Sequence, residues 1–163
     1  MEEKSSLLIQ LKNCILTFQT KDMCFRIKID KKLTAKRDIL CYKIVCIDVD
    51  NNILPLYYMD KPNSYFYKFG ETVKSELNIT AYHAIERGFH SFIKPNIANY
   101  YIKLCTYFIY TDPDHNNDFK LFHKEIKIKE IIVVSCIIPK GAHYYVNDEE
   151  YVSDQIKLIE ILK

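Results

Sequence analysis

A histidine and a serine stand side by side in Gly88-Phe-His-Ser-Phe92, and they are the first residues able to do chemistry. An imidazole beside a hydroxyl could serve as base and nucleophile if geometry brought them together. The alternating segment reads as a short strand, with Phe89 and Ser91 on one face and His90 and Phe92 on the other. One polar side chain therefore faces a core and needs a partner there. The commoner role of a histidine so placed is structural. Gly88 supplies either positive φ at a turn or a close backbone approach to a ligand beside His90 and Ser91. The chain contains no GxSxG, HExxH, P-loop or GxGxxG sequence. His115 and His123, with Asp112, Asp114 and Asp118, lie in or near an Asp/Asn-rich loop, and no metal is expected there. Tyrosine pairs at Tyr57-Tyr58, Tyr100-Tyr101 and Tyr144-Tyr145 have faces for stacking a base, but packing accounts for them equally.

The six cysteines carry no CxxC or metal-type spacing. Cys14, Cys41, Cys46, Cys105 and Cys136 each sit in apolar runs, where a thiol behaves as a small hydrophobe. Net charge is +2, from 23 basic and 21 acidic residues, which argues against a dedicated nucleic-acid protein. The densest basic run, Lys28, Lys31, Lys32, Lys36 and Arg37, reads as a solvated loop or a phosphate patch. No stretch reaches the roughly 18 apolar residues of a membrane helix, and the start, Met-Glu-Glu-Lys, is not signal-like. A cytoplasmic protein without membrane contact is expected, in the host cytoplasm or a virion if viral. Abundant Ile, Lys, Asn and Tyr, no Trp and only three Gly match the codon bias of an AT-rich genome.

These residues must be held by regular elements. Tyr42 to Val49 and Ile53 to Tyr58 read as strands joined at Asp50-Asn51-Asn52, a turn tolerant of left-handed backbone. Further strands are expected over residues 25–29, 64–69, 89–93, 126–138, 144–146 and 155–162. Pro95 opens a helix whose Ile97, Tyr100, Tyr101 and Leu104 recur at helical spacing. The expected class is α+β: a mainly antiparallel, mixed sheet with one clear helix after the Gly-Phe-His-Ser-Phe strand. Residues 1–35 form an extension or first elements packed on the core, and residues 36–163 a single domain.

The string Tyr42-Lys43, Tyr65-Phe-Tyr-Lys-Phe-Gly70-Glu-Thr-Val73, Gly88-Phe-His-Ser-Phe92, Ala98-Asn-Tyr-Tyr101 and Ile137-Ile-Pro-Lys-Gly-Ala142 resembles an uncharacterised domain group. That group occurs in phages, giant viruses and bacteria, sometimes beside pentapeptide repeats, and has no assigned activity. A fainter similarity is to ADP-ribosyltransferases, which implies an NAD cleft lined by Lys43, Ser91 and a residue near Asp154. Lys43 stands where an Arg belongs, Phe-His-Ser replaces Ser-Thr-Ser, and Asp154 replaces a glutamate. The resulting expectation is a non-enzymatic binding or interaction module, a viral or phage-type accessory or virion-associated protein. Its partner would be a protein or a small nucleotide. The alternative is an ADP-ribosyltransferase-like domain binding NAD or a related nucleotide. Candidate ligand contacts are Lys43, Gly88, His90, Ser91, Tyr101 and Asp154.

Overall fold

The computed structural model describes residues 31–55, 66–79, 85–111 and 128–162. Cys14, the strand expected over residues 25–29, Tyr57-Tyr58 and the Asp/Asn-rich loop with His115 and His123 lie outside them.

Strand β2, Ile39–Asp48, is the axis of the molecule. Its Ile, Val, Tyr and Cys side chains suit a pleated surface, and eight consecutive residues from Cys41 to Asp48 include only one, Tyr42, that is not buried. Burial on both faces is what a central strand requires. Along one edge β2 pairs β8, Ile128–Ile138, from Ile39↔Ile138 to Asp48↔Ile128. Its other edge is shared. Tyr42 pairs Phe92 of β7, Phe89–Phe92, while Val45 to Ile47 pair β3, Ile53–Pro55.

The remaining strands extend this centre. They are β1, Leu33–Thr34; β4, Thr72–Lys74; β9, His143–Val146; β10, Glu150–Ser153; and β11, Gln155–Ile161. The order is β1-β9-β10-β7-β2-β8-β11-β4, with β3 beside β2, and the nine strands curl into a half-barrel. Two shorter strands, β5 (Asn78–Ile79) and β6 (Ile85–Arg87), pair separately. Leu33 and Thr34 pair β9, and the next residue, Ala35, is buried in the core, so this part of the 1–35 segment belongs to the sheet.

The expected α+β class is corrected by this topology. The protein is mainly β, and every described strand pairing is antiparallel, so the sheet is not mixed. An order of strands, helix and strands points to α+β when read along the chain alone. Instead, strands from both sides of the helix interleave. Helix α1, Pro95–Thr111, carries the chain from β7 over β2 to β8, and is a crossover connection rather than a layer.

Strand alternation sorts the side chains onto two faces. On the helix face, Ala98, Ile97, Tyr101 and Ile102 of α1 cover Tyr42, Ile44, Cys46, Phe92 and Val133. The inner face gathers Cys41, Val45, Phe89, Val134, Cys136, Ile138, Ile156 and Leu158, closed by Tyr67 and Ala142.

The β2–β3 turn shows why the Asp-Asn-Asn sequence works. Asn51 takes φ 63°. Asp48 Oδ1 accepts the Asp50 and Asn52 amides at 2.9 and 2.8 Å, and its Oδ2 accepts Asn52 Nδ2 at 2.9 Å. Removing these acceptors strands two turn amides. Asp48→Ala is expected to lower stability by about 1–2 kcal/mol, measured by urea unfolding. An unchanged midpoint would show that water replaces the carboxylate at no cost.

Candidate functional site

The inner face carries more polar chemistry than a core needs. On β2 it holds Ile39, Cys41, Lys43 and Val45; on β8 it presents Cys136 directly opposite Cys41. The two Sγ atoms are 3.3 Å apart, and Cys41 Sγ also donates to the Cys136 carbonyl at 3.5 Å. Both residues are fully buried free thiols.

Lys43 lies two residues along the same face and is 8% exposed. If the β2–β7 ladder continued past Tyr42↔Phe92, Ile44 would face His90. The strands part there, and Lys43 fills the gap, with Nζ donating to the His90 carbonyl at 2.6 Å. Its Nζ is 5.9 Å from the centroid of the Tyr67 ring, a second favourable contact for a cation. Ser91, 1% exposed, belongs to the same face. Its Oγ makes no hydrogen bond of ordinary geometry.

The electrostatics follow from this crowding. The Cys41 thiol is held below its ordinary value, first by the hydrogen bond from Cys136, against the opposing desolvation, with Ser91 and the Lys43 charge adding to the effect. Burial pushes Cys136 well up, and its hydrogen bond to Cys41 pushes it further. Burial draws Lys43 down, while Cys136, Cys41 and Glu150 favour its charged form. His90 is lowered to about 4, chiefly by burial and then by Lys43. Glu150 is raised to about 7 by burial and by Glu149.

Beside this cluster is an open recess of about 400 Å³, lined by Leu33, Thr34, Lys36, Arg37, Ile39, Tyr144 and Tyr151. Ile39 precedes Cys41 by two residues on β2, and Tyr151 is paired with Ser91, so recess and cluster share one face. The two tyrosine rings meet edge to face, 5.8 Å between centroids. Among the described residues, the lining carries two cations and no carboxylate.

The six sequence candidates are distributed unevenly. Lys43, Ser91 and the His90 carbonyl meet at the cluster. Tyr101 sits on the helix face, its ring 5.1 Å from that of Phe92 and its hydroxyl 3.4 Å from Glu149 Oε2. Asp154 turns the chain between β10 and β11. Its Oδ1 accepts the His143 amide at 2.9 Å, and its Oδ2 lies 3.0 Å from His143 Nδ1. Gly88 has φ +144° and presses against β10 and Leu77. Cys41, Cys136, Glu150 and Tyr151 escaped sequence reasoning. The Cys41-Tyr-Lys43 spacing does place a thiol and an amine on one strand face, but Cys136 lies 95 residues away, beyond any local signal. Among the described residues, no three His, Cys, Asp or Glu side chains are grouped to hold a metal ion. No described helix is long and apolar enough to cross a membrane.

No family model, curated protein or solved structure matches the chain.

Proposed function

We propose that the protein is a binding module whose recess takes a small anionic ligand with a planar ring, of the nucleotide class. The observation that carries this reading is the described lining: two tyrosines on the wall, Lys36 and Arg37, and among the described residues no carboxylate. Tyrosine faces and edges hold a flat heterocycle at little entropic cost. Arginine offers a planar fork for a phosphate, and lysine a point charge. The volume of about 400 Å³ suits a ligand of this size. A viral or phage-type accessory role is supported by the AT-rich residue usage and by the string from Tyr42 to Ala142.

The ADP-ribosyltransferase-like alternative uses the same ligand class and adds a transfer step. A transferase needs a carboxylate free to steady the charge developing on the ribose. Asp154, its nearest candidate, is already bonded to the amide and ring of His143. Ser91 is 1% exposed. Binding without turnover is the better account.

The test is thermal unfolding against NAD, ADP-ribose, cyclic nucleotides and common nucleotides. A ligand at about 100 times its Kd adds about 2.7 kcal/mol, a rise in Tm of roughly 5–10 °C for a domain of this size. Arg37→Glu, on the exposed rim, should abolish the shift without lowering the Tm of the free protein. No shift with any compound, or a shift that survives Arg37→Glu, overturns the assignment.

A further inference from the structure

We propose that Cys41 and Cys136 form a reversible cross-strand disulfide, making the inner face a peroxide-responsive dithiol site with Lys43 as its counter-cation. The reading is independent of what the recess binds. Its first support is geometric. Directly opposed residues of an antiparallel pair have Cα atoms about 4.5–5.5 Å apart, inside the range a disulfide spans. The register places Cys41 opposite Cys136, and their sulfurs, at 3.3 Å, need to close by little more than 1 Å. Strand pairing on both sides of the bond keeps the two Cβ atoms in place.

The second support is the buried cation. Enclosing an ammonium is costly unless an anion compensates it. Among the described residues no carboxylate lies within ion-pair distance of Lys43, whose hydrogen bond is to the neutral His90 carbonyl; Glu150 favours its charge only from farther off, after Cys136 and Cys41. A thiolate on the same face is the anion that would justify its position, and the reactive form of cysteine is the thiolate. Cys41 is the better placed of the two, because its ionised form would accept a hydrogen bond from the Cys136 thiol and is favoured by the Lys43 charge.

The third support is Ser91. Its buried hydroxyl makes no hydrogen bond of ordinary geometry, yet it lies near enough to Cys41 to act as a loose donor to that sulfur. A hydroxyl so poorly satisfied is unfavourable in a finished core. It gains a better acceptor when an oxygen is attached to Cys41, because it can then donate to that oxygen.

The chemistry balances with a hydroperoxide as oxidant. The Cys41 thiolate attacks one peroxide oxygen; the O–O bond breaks, the sulfur is oxidised to a sulfenic acid, and the departing oxygen leaves as hydroxide and takes up a proton. The Cys136 sulfur then attacks Cys41 Sγ, forming the S–S bond and expelling the sulfenic oxygen as a second hydroxide, which the Cys136 proton converts to water. Two thiols and one hydrogen peroxide give one disulfide and two waters. Both cysteines are fully buried, so the oxidant must be small. The recess offers the nearest approach, since Ile39 and Tyr151 in its wall adjoin the cluster along β2 and across from Ser91.

The test uses the full-length reduced protein, treated with hydrogen peroxide at pH 7.5, unfolded in N-ethylmaleimide and mapped by mass spectrometry. The expected result is a loss of about 2 Da per chain, a Cys41–Cys136 linked peptide, and full reversal by dithiothreitol. Cys46, buried on the helix face, should remain alkylatable and serves as the internal control. Cys136→Ser should halt the reaction at a Cys41 sulfenic acid that dimedone captures. Lys43→Met should slow linkage roughly tenfold at pH 7.5 and move its pH profile upward. Should either variant fail to fold, mapping of the wild-type chain decides alone. Recovery of Cys41 and Cys136 as separate alkylated peptides, or linkage of any other pair, overturns the proposal.

Discussion

Gly88→Ala is expected to cost about 3–4 kcal/mol and to give a largely unfolded protein in moderate urea. Two penalties combine. Gly88 sits at φ +144°, a conformation that side-chain-bearing residues rarely adopt. A Cβ there would also lie 2.6 Å from Val152 Cγ1, 2.8 Å from Leu77 Cδ1 and 3.2 Å from the Ser153 carbonyl. The side-chain tips have no room to yield, because Val152 is fully buried, and the Ser153 carbonyl is backbone of the paired strand. Gly141 is the natural comparison, with φ +89° and nothing within 4 Å of a built Cβ. Gly141→Ala should cost only about 1 kcal/mol, from backbone conformation alone. Urea midpoints for the two variants measure the difference. Equal losses would show that β10 gives way around an added methyl, and that the close approach at Gly88 is not tight packing.

A second large effect should be hidden in the wild type and exposed by mutation. His90 and Glu150 lie on neighbouring strands, with His90 opposite Val152 and Glu150 opposite Phe92. Burial lowers His90 to about 4 and raises Glu150 to about 7. For His90 the unfolded chain binds the proton first as pH falls, so its contribution to stability is lost between about 6.5 and 4. For Glu150 the unfolded chain releases the proton first as pH rises, so stability is lost from about 4.5 to 7. Across the overlap the two slopes have opposite sign, each worth about 3 kcal/mol over its window. Glu150→Gln should leave a protein that gains stability steadily from pH 4 to 6.5 and exceeds the wild type at pH 8. His90→Gln should leave one that loses stability from pH 4.5 to 7. Chemical unfolding at half-unit intervals measures all three curves, and parallel curves would refute the compensation.

Local features were legible in the sequence because local rules govern them. The Asp50-Asn51-Asn52 turn, the helix start at Pro95 and the strand containing His90 and Ser91 all depend on residues within a few positions of one another. The fold class was not legible, because it depends on which strands lie side by side. Nothing near β2 announces that it runs between β7 and β8, and the spacing within α1 does not distinguish a crossover from a helical layer. The inner cluster failed to appear for the same reason. Lys43 and Ser91 could be singled out by type, but their meeting with Cys136 needs a register spanning 95 residues. Asp154 illustrates the converse. Its position in the sequence fitted a distant family, while its carboxylate serves the β9–β11 junction through His143.

The position of β2 also bears on how the chain reaches this structure. Among its described partners only β3 is adjacent to it in sequence, with three paired residues; β7 joins it from just before the helix and β8 from beyond it. The centre of the sheet therefore cannot zip up from a single hairpin. The β2–β8 ladder must close a loop of roughly 80 residues before it returns any burial, and such distant pairing is what places β-rich chains among the slower folders. During that search the apolar edges of β2 and β8 are unpaired strand edges of the kind that invite association with other chains. The crossover that gives the folded protein its buried axis makes that axis among the last parts to be protected.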